Sequence, residues 1–297
     1  MSTGTSIAPA VAGAAVTASR RGRIGQEKTN WTATLLLFAA SLAVLVPLYV
    51  TAMMAFKTTQ QSTDLNAFSL PSPVSFDGFV AAWNLTNFPR AFLVSLVVTL
   101  VSVTGSILVS SMAAYAIVRN WDRKLFRYAF FYLLAAMFIP FPVVALPQVR
   151  LTGLLGLDNY GGVALLHIVF GLAFNTLLFS TFLRSIPLEL EESMRMDGAS
   201  TWQTFWKLIF PLLAPMAATV GIFVFLSSWN DFMMPSLIIS QPEWQTIPVV
   251  NSIFQTQFSN NYNVSFASYL MAMAPAIIVY VFAQRWVMSG LTQGAIK

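Results

Sequence analysis

Carboxylates are scarce in this chain, and four of its eleven, Glu189, Glu191, Glu192 and Asp197, fall within nine consecutive positions of the stretch IPLELEESMRMDGASTWQTFWKLIFPLL, residues 186–213. Metal chemistry has little to work with: there is one histidine, no cysteine and no H-E-x-x-H, so neither a metal site nor a membrane enzyme emerges. No G-x-x-x-x-G-K-[ST] loop is present to cradle nucleotide phosphates, so the chain is not itself an ATPase. What the cluster offers is recognition. Pro187 suits the first turn of a helix, residues 188–196 are good helix formers, and acids early in that helix complement the positive end of its dipole. Asp197-Gly198 stops it, because glycine readily takes the left-handed conformation of a helix cap. Ser200 with Gln203 is a capping-box signature that starts a second helix, whose Phe205, Trp206, Leu208, Ile209 and Phe210 make an apolar surface leading into Pro211. Leu190 and Met194, spaced i,i+4 and rimmed by carboxylates, suit a groove on another protein. An ordinary solvated loop is the plainer alternative, and it leaves those two apolar residues unexplained.

The elements around this loop follow from composition. The chain has 297 residues, 57% hydrophobic and only 9% charged, against roughly 25% charged in soluble domains. Several apolar runs reach the ~18–20 residues that cross a bilayer as a helix, which makes this an all-α, multi-pass membrane protein. Spans are expected at 31–56, 91–118, 127–148, 161–185, 212–238 and 267–289. With the N-terminus cytoplasmic, the inner side carries Arg20, Arg21, Arg23, Lys28, Arg119, Arg123, Lys124, Arg127, Arg184, Arg195, Lys207, Arg285 and Lys297. The outer side carries only Lys57, Arg90 and Arg150. That bias is the positive-inside rule for six spans with both termini in the cytoplasm, and the net charge of +5 needs no nucleic acid. Residues 1–30, small, polar and then basic, read as a mobile cytoplasmic tail. They are a poor signal peptide, because the apolar run that follows is about 25 residues rather than 7–15. The remainder, 31–297, is one transmembrane domain, with the acidic loop 186–211 on its cytoplasmic side and larger outer loops at 57–90 and 239–266.

Within the spans ionisable side chains are rare, and those present usually have a purpose. His167 fits a buried structural histidine. Trp229 fits an interfacial belt or, with Asn230 and Asp231, the lining for a sugar. Asn175, Thr176, Ser180 and Ser227 are polar candidates for a substrate path, or for hydrogen bonds between helices. Pro140, Pro142 and Pro147 kink span three, in keeping with a gate or with ordinary packing.

The acidic loop resembles the cytoplasmic loop of permease subunits in binding-protein-dependent ABC importers, close to E-A-A-x-x-x-G, nine intervening residues, then I-x-L-P. Glu192 takes the first position, Gly198 the glycine and Pro211 the proline. EESMRMDGAS stands where the family commonly has EEAARxDGAS, so Ser193 and Met194 replace both alanines, and the bulkier Met194 implies a roomier pocket on the partner. SWNDFMMPSLI (228–238) is similar to the S-W-N-x-F pattern of the sugar-uptake branch. The ending RWVMSGLTQGAIK is similar to R-x-x-x-x-G-L-T-x-G-A-x-K of maltose-type second permease subunits. NFPRAFLVSLVVT (87–99) is similar to the start of span two there, with Val94 where Asn is usual. The likeness runs from about residue 31 to the end.

It implies a type I ABC importer transmembrane architecture and half of a translocation pathway for a di- or oligosaccharide. The implied partners are a second permease subunit, two ATPase subunits that use ATP and Mg, and an extracytoplasmic sugar-binding protein, around a chain that binds no cofactor itself. The setting is the cytoplasmic membrane of a bacterium or archaeon, in contact with lipid. It also implies that Leu190, Glu191, Glu192, Ser193, Met194, Asp197, Gly198 and Ala199 couple to the ATPase, Glu191 and Glu192 pairing with basic groups while Leu190 and Met194 fill a groove. GLTQGAIK (290–297) is a second candidate contact, with a frayed tail as the alternative. The rivals are an ABC importer for a non-sugar solute and an ion- or proton-coupled secondary transporter; the latter needs ionisable groups near the midplane and commonly shows internal repeats, and this sequence is poor in both.

Overall fold

The computed structural model describes residues 30–256 and 261–295, and every regular element in them is helical. The expected tail thus lies, but for Asn30, outside the described residues. Contacts within the chain divide it into two units, Met1–Leu45 and Val46–Lys297. The helix α1 (Trp31–Ala55) begins in the first, where its residues are almost all apolar and Ser41 Oγ turns back to donate to Leu37 O at 2.8 Å.

Past the rest of α1, the second unit holds the loop 57–90, expected on the outer side. Its helices α2 (Thr59–Asp64) and α3 (Asp77–Leu85) flank the irregular Pro71–Pro73 stretch. Thr58 and Gln61 form a capping box on α2. Beside it Lys57 is fully buried, donating to Asn66 O at 2.7 Å. Burial lowers the pKa of this ammonium below its ordinary value, since a low dielectric disfavours the charged form.

Next come α4 (Phe88–Arg119), α5 (Lys124–Ala136), α6 (Phe141–Leu154) and α7 (Tyr160–Leu183). α4 and α7 form the centre of the unit. Ser95, Thr99, Ser102, Ser106 and Ser110 give α4 a buried face of small polar residues, while Leu93, Val97, Leu100 and Val101 point outward. Small residues let helices approach closely in lipid. The approach is closest at Gly105, where a Cβ would lie 2.3 Å from Ile168 Cδ1 on α7.

The acidic loop holds α8 (Glu189–Met196), then α9 (Thr201–Thr204), a π-turn over Phe205–Ile209 and α10 (Phe210–Leu212). α11 (Ala214–Trp229) and α12 (Met233–Ile238) follow, then a 3₁₀ turn at Pro242–Trp244, α13 (Ile247–Asn251), α14 (Ile253–Thr256) and α15 (Tyr262–Ala295).

Among the described residues, α1, α4, α7 and α15 up to Phe282 are long and apolar enough to cross a membrane, and the number rises to six if two bent pairs each count as a span. The sequence anticipates a kink in span three, but not the size of either bend. α5 and α6, in the region expected as span three, meet at 103°, and the helical segment 201–212, ahead of the expected start of span five at 212, is bent 73° from α11. Proline explains them. Pro140 and Pro142 offer no N–H to the carbonyls of Ala136 and Phe138, and Pro215 offers none to Pro211, so the ladder breaks at each place. Span five also ends early: α11 stops at Trp229 and the chain restarts as α12.

Candidate functional site

Why α8 forms and stops where it does is visible in its ends. Three glutamates occupy its first turn and Arg195 its last, both favourable to the helix dipole. It closes on Gly198 at φ +81°, with Gly198 N–H donating to Arg195 O and Ala199 N–H to Met194 O, each at 3.0 Å. Those two bonds are a Schellman motif, which needs the left-handed residue. Two residues on, Ser200 Oγ accepts from Gln203 N–H at 3.3 Å while Gln203 Oε1 accepts from Ser200 N–H at 2.9 Å. The expected capping box is present. Pro187 precedes α8 instead of sitting in its first turn.

The three first-turn acids are not equivalent. Glu189 and Glu192 are exposed, whereas Glu191 is 0% exposed. Its Oε1 accepts from Arg119 Nε at 2.6 Å and its Oε2 from Tyr115 Oη at 3.0 Å, both on α4. Arg119 also donates through Nη2 to Ile186 O in the turn before α8, at 3.3 Å, and Arg195 stands 3.8 Å from Oε2. This corrects the expectation that Glu191 pairs with basic groups on a docked partner: its carboxylate is buried, and the groups that hold it belong to its own chain. Glu192 is left facing outward beside Leu190, and Ser193 Oγ bonds back to Glu189 O at 2.9 Å.

Met194 is half-buried. With Asp197, Gly198, Ala199, Gln203 and Lys207 it lines a notch of about 310 Å³ between the two arms of the loop. The apolar side chains offered outward are Leu188, Leu190, Trp202 and above all Met196, which is 88% exposed. The second arm is anchored from below. Phe205, Ile209 and Leu213 pack into a core with Ala114, Tyr115, Phe179, Leu183, Val220 and Val224 from α4, α7 and α11. The loop therefore presents one face to the outside and is bolted to three long helices by the other.

Sequence reasoning missed Tyr115 and Arg119. Arg119 registers there only as an inner charge, and no short-range pattern links it to a residue 72 positions later. Met196 and Trp202 were legible as apolar residues in a polar loop, and went unused.

The polar residues of the spans do not come together in one place. Asn175, Thr176 and Ser180 are buried on α7, and Asn175 Nδ2, Thr176 Oγ1 and Ser180 Oγ find no hydrogen-bond partner among the described residues. Ser227 Oγ donates within its own helix, to Val224 O at 3.0 Å. Trp229 is 3% exposed: its indole N–H donates to Ala272 O at 3.1 Å, its ring stacks on Phe225 and meets Phe92 edge-on. Trp229 and Asn230 border a cavity of about 400 Å³ with Phe232, Asn251, Ser252, Tyr269 and Met273. Asp231 points elsewhere. Its Oδ1 accepts from the N–H groups of Met233 and Met234, capping α12, and its Oδ2 lies 3.4 Å from His167 Nε2 on α7. Among the described residues no cluster of three metal-ligating side chains occurs. Of the ending 290–297, the helix α15 continues to Ala295 and the last two residues lie outside the described set.

Known proteins match this arrangement along most of its length. The chain is 33% identical to the multiple sugar-binding transport system permease protein MsmG of Streptococcus mutans, over 92% of this chain and 99% of that one. It is 31% identical to the probable starch degradation products transport system permease protein AmyC of Thermoanaerobacterium thermosulfurigenes, over 89% and 96%. A chain of a bacterial ABC transporter involved in import of the acidic polysaccharide alginate shares the fold, with a TM-score of 0.75 at 24% identity, covering 86% of this chain and 95% of that one. The family model that matches residues 105–293 is that of the binding-protein-dependent transport system inner membrane component, and the chain belongs to that family.

Proposed function

We propose that this chain is a permease subunit of an ATP-driven importer, forming half of the path for a di- or oligosaccharide handed over by an external binding protein. Supporting the cargo are the relatives above, which are sugar permeases by name. Six spans, counting each bent pair as one, and the inner bias of Lys and Arg support a cytoplasmic-membrane protein with both termini inside. A second permease subunit completes the path, and two ATPase subunits bind and hydrolyse ATP with Mg. Loop 186–211 receives their motion.

One observation carries the coupling role: α8 is fixed to its own chain through Glu191 while Glu192, Leu190 and Met196 are left facing outward. A helix held on one side with apolar side chains and a carboxylate free on the other is built to seat in a groove.

Reconstitution in proteoliposomes with the second permease, the ATPase and the binding protein tests this, using a panel of labelled oligosaccharides. Uptake is expected only with ATP and the binding protein, and Gly198→Asp or Glu192→Lys abolishes it while insertion in the membrane is normal. Uptake driven by an ion gradient without ATP would instead favour a secondary transporter, for which His167 and Asp231 are the ionisable pair at hand.

A further inference from the structure

We propose that Glu191 is a positioning residue whose clamp on Tyr115 and Arg119 makes α4 the rod that carries motion of α8 to the outer face. The inference rests on the coupling role given above to loop 186–211. The backbone alone is a soft route. α8 is joined to α7 through the turn at 184–188, and to α11 through the turn at 197–200 and a 73° bend. Hinges of this kind absorb displacement. The clamp bypasses both: each oxygen of the Glu191 carboxylate is held by a different α4 side chain, and Arg119 also grips the 184–188 turn at Ile186 O. A hydrogen bond with an ionised partner is stronger than a neutral one, and here both bonds are sealed from solvent on the Glu191 side.

The far end of α4 is tied as well. Ser95 Oγ accepts from Ile247 N–H at 2.9 Å, and Arg90 lies over the Trp244 ring at 4.2 Å. These ties sit near the two ends of an unbroken helix of 32 residues, about 48 Å long at 1.5 Å per residue. Packed against α7 and α11, it has no proline after its first turn, and it runs unbroken through its one glycine, Gly105, where α7 packs closest against it. A push on Glu191 therefore reaches the outer segment 239–247 through one rigid body.

The experiment uses the whole complex with single cysteines, since the chain has none of its own. Gln241→Cys reports the outer segment through its rate of reaction with a membrane-impermeant maleimide, with and without ATP plus vanadate. Met196→Cys reports seating of α8 through crosslinking to the ATPase. In the parent the labelling rate is expected to change at least about five-fold with nucleotide, the lower end of coupling between sites. In Arg119→Met with Glu191→Met, a pair that removes both charges together and so strands neither, the Met196 crosslink persists and the nucleotide effect disappears. Tyr115→Phe, which takes away one of the carboxylate's bonds, gives an intermediate change. A full nucleotide effect in the double variant overturns the rod. A parent that neither crosslinks at Met196 nor responds to nucleotide overturns the coupling role itself, and the rod with it.

Discussion

Glu191 in the acidic loop and Arg119 at the end of α4 are 72 residues apart in sequence and 2.6 Å apart in space. Their neighbours make the pair informative. Glu192, one position on, has no partner in the described residues and faces outward. Breaking a buried ion pair by removing one member costs about 3–5 kcal/mol, because it strands the other charge; truncating an exposed side chain costs about 0.5 kcal/mol or less. Glu191→Ala is therefore expected to lower the thermal unfolding temperature of the purified complex sharply, and Glu192→Ala to leave it in place. Transport reverses the contrast in meaning: Glu192→Ala loses uptake in a protein of full stability.

Gly198 separates backbone from contact. A Cβ there would meet nothing within 4 Å of its own chain, so the in-chain penalty is conformational only, about 1–2 kcal/mol for a residue forced into the left-handed region. Asparagine tolerates that region and valine does not. Gly198→Asn is expected to keep α8 folded at near parental stability, and Gly198→Val to destabilise it. Amide exchange at Gly198 and Ala199, whose N–H groups close the Schellman turn, measures the difference.

Lys57 gives a pH dependence with a definite sign. Burial holds its folded-state pKa below the ordinary 10.5, so the unfolded chain binds the extra proton and stability rises with pH between the lowered value and about 10.5. Below that window the buried charge is a steady cost. Lys57→Met is expected to raise the unfolding temperature at neutral pH and to flatten its alkaline rise. Asn66 O does not become an orphan, since it also accepts from Ser69 N–H and Ser69 Oγ. An unfolding temperature that falls on substitution contradicts the assignment.

Asp231 is expected to act as a cap more than as a sugar ligand. Its Oδ1 serves two N–H groups of α12, and losing such a cap costs about 1 kcal/mol. Asp231→Asn keeps an acceptor and is expected to transport like the parent, while Asp231→Ala loses about that much stability. Transport kinetics and unfolding of both variants check it; a large loss of uptake in Asp231→Asn would point to the carboxylate's charge.

How much of this was legible depended on whether the signal was local. The acidic helix, the glycine that stops it and the Ser200–Gln203 box were all readable, because each is decided within a few residues. The bends at Pro140–Pro142 and Pro211–Pro215 were only half readable: proline announces a break but not an angle of 103° or 73°. Burial was not readable, because lipid inverts the usual rule. On α4 the serines face inward and the leucines outward, so hydrophobicity does not point to the core. For the same reason the burial of Trp229, and the indole bond that ties α11 to α15, could not be foreseen.

The most direct measurement is a crosslink from Met196→Cys in the otherwise cysteine-free chain to the nucleotide-hydrolysing subunit of the intact complex. A bond that forms in the resting state and changes in yield when ATP is bound is the predicted result. A residue 196 that reacts with membrane-impermeant reagents from outside the cell, or that joins no ATPase subunit in any nucleotide state, would contradict the account.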